Sequence, residues 1–140
     1  MQFSARLAPN GEGGFVVTFP DVDDALTEGA SREEALVNAA DALEVALLGR
    51  MKDGEGIPIP SGGGEGVAMV PLSAQIAAKV AFYTAFRESG LSRSALARRL
   101  GKDEAEVRRM LDPHHATKLP ALDEAIRALG RRLTVELEPA

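Results

Sequence analysis

Cysteine is absent from this chain, and only two of its 140 residues are histidines. The absence of cysteine excludes disulfide frameworks and thiolate zinc sites, and it fits a reducing compartment. Long apolar runs are also missing, since no stretch approaches the roughly 18 apolar residues of a membrane span. The N-terminus lacks the basic and apolar regions of a signal peptide. We therefore expect a folded, cytoplasmic protein without a membrane partner, and the hydrophobic content of 45% supports this expectation.

The two histidines, His114 and His115, are adjacent and follow Pro113 in a predicted loop. Adjacent side chains rarely bind the same metal ion, and no other cluster of ligands completes a site. We therefore expect neither a metal nor a cofactor. The histidines can cap the preceding helix, contact a phosphate or be solvated loop residues, and the sequence leaves these alternatives open.

Charge is distributed unevenly along the chain. Residues 1–71 carry four basic and twelve acidic side chains, a net charge of -8, whereas residues 72–140 carry twelve basic and nine acidic ones, a net charge of +3. A basic half suits the phosphate backbone of nucleic acid, and an acidic half repels nucleic acid and attracts basic proteins. Two ordinary solvated surfaces are the simpler alternative.

The first half of the chain predicts a small antiparallel sheet. Apolar and polar residues alternate over residues 2–7, and Phe15, Val17 and Phe19 share one face of a second strand. A Pro-Asn-Gly turn between the two segments predicts a hairpin. Residues 25–28 form a short candidate third strand. The segment 67–70 is expected to return as an edge strand.

A helix is predicted over about residues 32–51. Ser31 and Glu34 have the spacing of a capping box, in which each side chain satisfies the other's free backbone N–H. An apolar stripe that can cover one face of the sheet follows at Leu36, Ala39, Ala40, Leu43 and Leu47. Residues 53–66 contain six glycines and two prolines, which predicts a loop or linker.

The second half predicts four helices, over about residues 73–88, 93–100, 104–111 and 120–129. Leu133, Val135 and Leu137 then alternate with polar residues, which predicts a terminal strand. This strand has no obvious partner nearby, and such an edge often pairs with another chain. We therefore expect these three residues to form a homodimer or a higher oligomer.

The second and third of these helices have helix-turn-helix spacing. Ala97 allows a close helix crossing, Gly101 suits a left-handed turn, and Val107 and Met110 fall on the face that must meet the core. The second helix of the pair would enter the major groove of DNA. Arginine can bind guanine bidentately or bind a phosphate, so we expect DNA contacts of either kind from Arg108 and Arg109. Further contacts are expected from a set of charged residues around them. That set is Lys102, Glu104, Arg93, Arg98, Arg99 and Lys118.

The acidic residues at the helix start have a second interpretation. Glu104 and Glu106 can be explained by helix capping and by the helix dipole, without any contact to DNA.

Asp21, Asp23 and Asp24 form the one cluster that suggests catalysis. Clustered carboxylates hold the cations of two-metal nucleases, but such sites usually recruit acids from several segments. Aspartates next to a proline are equally typical of turns. We therefore expect that this protein is not an enzyme.

Several motifs in the first half resemble the HicB antitoxin family. They are Gly-Gly-Phe-Val-Val-Thr-Phe-Pro-Asp-Val at 13–22, Thr-Glu-Gly at 27–29 and the helix segment 31–48. In the second half, the matching segments of the family's helix-turn-helix branch are 70–72, 77–80, 89–92, 96–101, 111–113 and 117–119. The family commonly has a Pro-Gly-Cys-like turn after its Pro-Asp, where this chain has Val22-Asp23-Asp24-Ala25.

The resemblance implies an α+β protein of two domains. Residues 1–71 would form a reduced RNase H-like domain without activity, a small antiparallel sheet with a covering helix. This domain would bind and occlude a HicA-type toxin that cleaves mRNA. Residues 72–140 would form the helix-turn-helix and oligomerisation domain, which ends in a strand and binds the operator DNA of its own operon as an autorepressor.

We expect the toxin contacts to include the acidic residues Asp21, Asp23, Asp24 and Glu28. Two other functions stay open. One is a DNA-binding regulator that senses a small ligand and has no toxin, and the other is an active nuclease that depends on Asp21 or Asp23.

Overall fold

The computed structural model describes residues 1–139. The chain divides into two compact units, Met1–Ile76, which we call unit 1, and the residues from Ala77 onward, which we call unit 2. Among the described residues, no helix combines the length and the apolarity needed to cross a membrane.

Unit 1 contains a four-stranded sheet in which every neighbouring pair is antiparallel. The strand order is β3-β2-β1-β4, so β3 and β4 are the edges. The predicted hairpin, the short third strand and the returning edge strand are all present. The strands are β1 (Gln2–Pro9), β2 (Phe15–Thr18), β3 (Leu26–Gly29) and β4 (Ala68–Pro71).

One long helix, α1 (Arg32–Lys52), covers the sheet. It begins where predicted, because the Ser31 hydroxyl accepts a hydrogen bond of 3.1 Å from the backbone N–H of Glu34. The fully buried residues of α1 are Ala35, Ala39, Leu43, Leu47 and Met51. Leu36 and Ala40, which the predicted stripe included, are only half-buried.

The junction between β3 and α1 depends on a glycine. A Cβ atom on Gly29 would lie 2.3 Å from the backbone nitrogen of Ala35, which is far inside van der Waals contact. Glycine at this position lets the end of β3 pass directly against the first turn of α1.

The helices of the second half occupy nearly the predicted ranges. They are α2 (Ala74–Ser89), α3 (Arg93–Leu100), α4 (Glu104–Leu111) and α5 (Leu119–Ala128). Apolar side chains from all four form the core of unit 2, namely Ala78, Phe82, Leu96, Ala97, Val107, Met110, Leu122, Ala125 and Ile126. Burying one such large side chain stabilises the fold by about 1.5–3 kcal/mol.

The predicted terminal strand does not form within this chain. Residues 131–139 have no strand assignment. Leu133 packs against the helical core, whereas Val135 is 80% exposed and Leu137 is fully exposed. A strand requires backbone pairing, and unit 2 as described contains no strand with which this segment could pair. The prediction of a terminal strand was therefore wrong for the isolated chain.

Candidate nucleic-acid and partner interfaces

The turn between α3 and α4 has a tightly defined geometry. Gly101 adopts the left-handed conformation with a φ of 65°. Its backbone N–H donates to the Arg98 carbonyl at 3.3 Å, and the N–H of Lys102 donates to the Ala97 carbonyl at 3.0 Å. This pair of hydrogen bonds is a Schellman motif, which ends one helix and redirects the chain into the next.

Helix α4 is fixed at its start and along its inner face. The Asp103 carboxylate caps the helix by accepting a 2.9 Å hydrogen bond from the backbone N–H of Glu106. Val107 and Met110 are buried in the core of unit 2, as predicted. Because the inner face is fixed by these two residues, the opposite face of α4 is directed to solvent.

The solvent face of α4 carries the predicted arginines. Arg108 pairs with Glu104 at 3.7 Å, and Arg109 pairs with Glu106 at 3.7 Å. Lys102 pairs with the same Glu106 at 3.6 Å. All five side chains are at least partly exposed, and exposed ion pairs of this kind contribute only about 0.2–1 kcal/mol. A phosphate or a guanine edge could therefore replace these carboxylates at small cost.

Glu104 links the start of α3 to the start of α4. Its carboxylate lies 3.8 Å from the Arg93 side chain and accepts a 3.1 Å hydrogen bond from the Ser94 hydroxyl. Arg108 pairs with the same group. Glu104 thus holds Arg93 and Arg108 together, which gives this residue a structural role in addition to the predicted contact with DNA.

The other predicted DNA contacts divide into two kinds. Arg98 and Lys118 are exposed, and Lys118 is the N-cap residue of α5 without a side-chain capping bond. Arg99 instead donates to the backbone carbonyl of Ala128 at 3.2 Å, which ties α3 to the end of α5. The structure therefore gathers Arg93, Lys102 and the arginines of α4 around the start of α4, whereas Arg99 is engaged elsewhere.

Sequence reasoning missed Lys79, which is only 2% exposed. Its ammonium group donates to the backbone carbonyl of His115 and, at 3.3 Å, to the hydroxyl of the buried Thr117. Burial lowers the pKa of Lys79, and the nearby Asp112 partly opposes this effect. The lysine thereby fixes the loop that leads into Lys118. One signal was available, because Lys79 is the only charged residue within 77–86.

The histidines take part in this loop. The His115 ring nitrogen Nδ1 lies 3.1 Å from the Thr117 hydroxyl, and the backbone N–H of His114 donates to the Asp112 carboxylate at 2.9 Å. Across residues 1–139, no three histidine, aspartate or glutamate side chains come together as a metal site.

The three clustered aspartates, Asp21, Asp23 and Asp24, contact other residues of unit 1. Arg50 pairs with Asp23 at 3.3 Å and with Asp24 at 2.9 Å, so a guanidinium supplies the positive charge beside these carboxylates. Asp21 accepts hydrogen bonds from the backbone N–H of Ser61 at 2.9 Å and from its hydroxyl at 2.7 Å. These two bonds hold the pKa of Asp21 below its ordinary value. Asp21 thereby fastens the Gly/Pro-rich segment, which sequence reasoning treated only as a loop.

The fourth predicted partner contact, Glu28, lies on the edge strand β3 with its side chain exposed. Its backbone carbonyl accepts a 2.9 Å hydrogen bond from the side-chain amide of Asn38 on α1. Three of the four predicted partner contacts thus bond within unit 1, and the side chain of Glu28 is exposed on an edge of the sheet.

Comparison with known proteins decides the family. Residues 2–81 match the sequence model of the HicB-like antitoxins of bacterial toxin–antitoxin systems. The chain belongs to the HicB-like antitoxin family. An antitoxin named HicB 1 from Photorhabdus laumondii is 41% identical over 138 residues, which cover 99% of this chain and 88% of that protein.

Other members of the HicB-like family match over a similar length. Antitoxin HicB of Escherichia coli K12 is 40% identical, over 96% of this chain and 98% of its own length. Antitoxin HicB of Pseudomonas fluorescens is 35% identical, over 100% of this chain and 97% of its own length. The similarity therefore extends across both units, and the resemblance inferred from the sequence motifs is confirmed.

Proposed function

We propose that this HicB-like antitoxin neutralises a HicA-type mRNA-cleaving toxin through unit 1 and represses its own operon through unit 2. The protein would bind both the toxin and the operator DNA in the cytoplasm. The observation that carries the DNA-binding half of the proposal is helix α4, whose apolar residues are fixed in the core while Arg108 and Arg109 point to solvent.

Charge supports a division of labour between the two units. Residues 1–71, with twelve acidic and four basic side chains, would be repelled by nucleic acid. A toxin that cleaves mRNA needs a basic surface to hold its substrate, and an acidic partner competes for that surface. The acidic unit therefore suits toxin binding, and the basic residues around α4 suit an operator.

Operator binding by a helix-turn-helix protein usually requires a dimer, because two recognition helices read two half-sites about 34 Å apart or a multiple of that distance. We propose that residues 131–139 supply this dimer. Val135 and Leu137 are exposed on a segment without a strand partner in the described chain. Pairing with a second copy would complete the strand that the alternation predicts and would cover both side chains.

DNA binding is tested by fluorescence anisotropy with a duplex from the promoter of the operon and with a scrambled duplex. The double variant Arg108→Ala with Arg109→Ala should lose at least tenfold in operator affinity, since one good bidentate base contact contributes about 1–3 kcal/mol of discrimination. If the two arginines bind phosphates instead, the slope of log affinity against log salt should fall by about two.

A matched control is available in the same unit. Arg127 on α5 is exposed and pairs with Asp123, as the arginines of α4 pair with their glutamates. Arg127→Ala removes one positive charge, against two in the α4 variant, and should leave the operator affinity within twofold. Equal losses in the control and in the α4 variant would contradict a recognition role for α4.

Toxin neutralisation is tested by producing the chain together with the HicA-type toxin of its operon. We expect the two proteins to copurify and cell growth to be restored. If the folded chain neither binds the toxin nor restores growth, the toxin-binding half of the proposal is refuted, and a ligand-sensing regulator becomes the better account.

A further inference from the structure

Three of the exposed apolar side chains of unit 1 lie on helix α1 and the edge strand β3. Val37 and Val45 on α1 are 65% and 71% exposed, and Leu26 on β3 is 65% exposed. Valine has a lower helix propensity than alanine or leucine, and at an exposed position it gains no packing energy. The stability of α1 therefore does not explain why two valines are exposed on it. Contact of these valines with another molecule would explain their presence.

Two of these residues, Leu26 and Val45, line a shallow groove between the edge strand β3 and helix α1, which we call the β3–α1 groove. Its volume is about 370 Å³, and its lining includes Leu26, Thr27, Asn38, Asp41 and Val45. Val37, Asp41 and Val45 follow one another at intervals of four residues, so they form a continuous ridge on α1, of which Asp41 and Val45 line the groove.

The rim of the groove is acidic. Asp41 lies between the two valines of the ridge, is exposed, and takes part in none of the ion pairs found within residues 1–139. Glu28 is exposed on β3, next to the lining residue Thr27, and is not itself part of the lining. Asp24 also lines the groove, and it forms an ion pair with Arg50. The carboxylates of Asp41 and Glu28, which form no such ion pair within the described residues, are therefore able to pair with basic side chains of a partner.

This combination selects one kind of occupant. An acidic rim repels nucleic acid and anionic lipid, and the same surface of a second copy would place like charges together. A basic protein that presents an apolar side chain satisfies both features, because the apolar group fills the groove while its flanking basic residues meet the rim. Interfaces commonly combine an apolar centre with a charged surround in this way.

We propose that the β3–α1 groove is the docking site of the basic toxin, with Leu26 and Val45 as apolar contacts and Asp41 and Glu28 as partners of basic residues. The inference rests on the proposed function and makes it more specific. It adds Leu26, Asp41 and Val45 to the predicted contact Glu28, whereas the other predicted contacts, Asp21, Asp23 and Asp24, bond within unit 1.

The test uses the full-length chain and a catalytically inactive variant of the toxin from the same operon, with affinity measured by titration calorimetry. The variant Val45→Ala with Asp41→Lys should bind the toxin at least 30-fold more weakly. Val45→Ala raises helix propensity, so a loss of binding cannot be ascribed to a weakened α1. Operator affinity of the same variant should stay within twofold of the unaltered chain.

Matched controls come from the Gly/Pro-rich segment of the same unit. Ile59 is 86% exposed and Glu65 is exposed, and neither lines the groove. The variant Ile59→Ala with Glu65→Lys likewise truncates a branched apolar side chain and reverses one acidic charge, and it should keep toxin affinity within twofold.

Three results would overturn the inference, and they are distinguishable. If the unaltered chain binds the toxin and the groove variant binds equally well, the toxin docks elsewhere and only this inference fails. If the unaltered chain does not bind the toxin at all, the proposed function fails and the inference with it. If the groove variant alone, without toxin, has a smaller mass by light scattering, the groove is occupied by a second copy.

Discussion

Replacing Gly29 with alanine tests the contact on which the shape of unit 1 depends. A Cβ atom at this position would lie 2.3 Å from the Ala35 nitrogen, 2.6 Å from the Ala35 Cα and 2.8 Å from the Glu34 carbonyl carbon. All three are backbone atoms in the first turn of α1, so no side chain can move aside. The overlap between the added Cβ atom and these backbone atoms can therefore be removed only if β3 and α1 move apart.

The magnitude follows from this geometry. Forcing extra atoms into a well-packed site typically costs about 1–3 kcal/mol. We expect the upper part of this range, about 2–3 kcal/mol, because the Ser31 cap fixes the helix turn that would have to move. Gly49→Ala is the matched control in the same unit. Its Cβ would meet no atom within 4 Å, and removing a glycine from a helix should stabilise unit 1 by about 0.5–1 kcal/mol.

Hydrogen exchange followed by mass spectrometry measures the result within unit 1. Peptides from α1 report its opening free energy separately from unit 2. Gly29→Ala should accelerate exchange in these peptides by about 30-fold to 150-fold, since 1.4 kcal/mol corresponds to a factor of ten. Gly49→Ala should slow it. Equal exchange in Gly29→Ala and the unaltered chain would refute the close approach of β3 and α1.

Two further predictions concern unit 2. Burial lowers the pKa of Lys79, so between this lowered value and the ordinary value of 10.5 the unfolded chain binds more protons and Lys79 adds stability as pH rises. In urea unfolding between pH 7 and 10.5, the unaltered chain should therefore gain stability relative to Lys79→Met, and a constant difference would contradict a buried ammonium. Val135→Ser with Leu137→Ser should yield monomers by light scattering if residues 131–139 form the dimer, and an unchanged mass would reject that role.

Local patterns were sufficient to predict most of the fold. Strand alternation, the capping box at Ser31 and the glycine at position 101 each act within a few residues, and the corresponding elements form where expected. The terminal strand was mispredicted because a strand depends on a pairing partner, and alternation at Leu133 to Leu137 carries no information about one.

The candidate sites were harder to predict, because they depend on contacts between distant residues. Asp21 bonds to Ser61, 40 positions away, and Lys79 reaches Thr117, 38 positions away. No local pattern indicates these pairings, so the aspartates were predicted as partner contacts and Lys79 was not identified as a candidate. The outward arginines of α4 were predictable, since the positions of Val107 and Met110 alone fix which face is buried.

The most direct test of the account is a reciprocal measurement on two variants, one in each unit, with toxin rescue and repression of a promoter reporter read in the same cells. Arg108→Ala with Arg109→Ala should lose repression and keep rescue of growth. Val45→Ala with Asp41→Lys should lose rescue and keep repression measured without toxin. If either folded variant loses both activities, the toxin and the operator are not bound by separate units, and the central claim is contradicted.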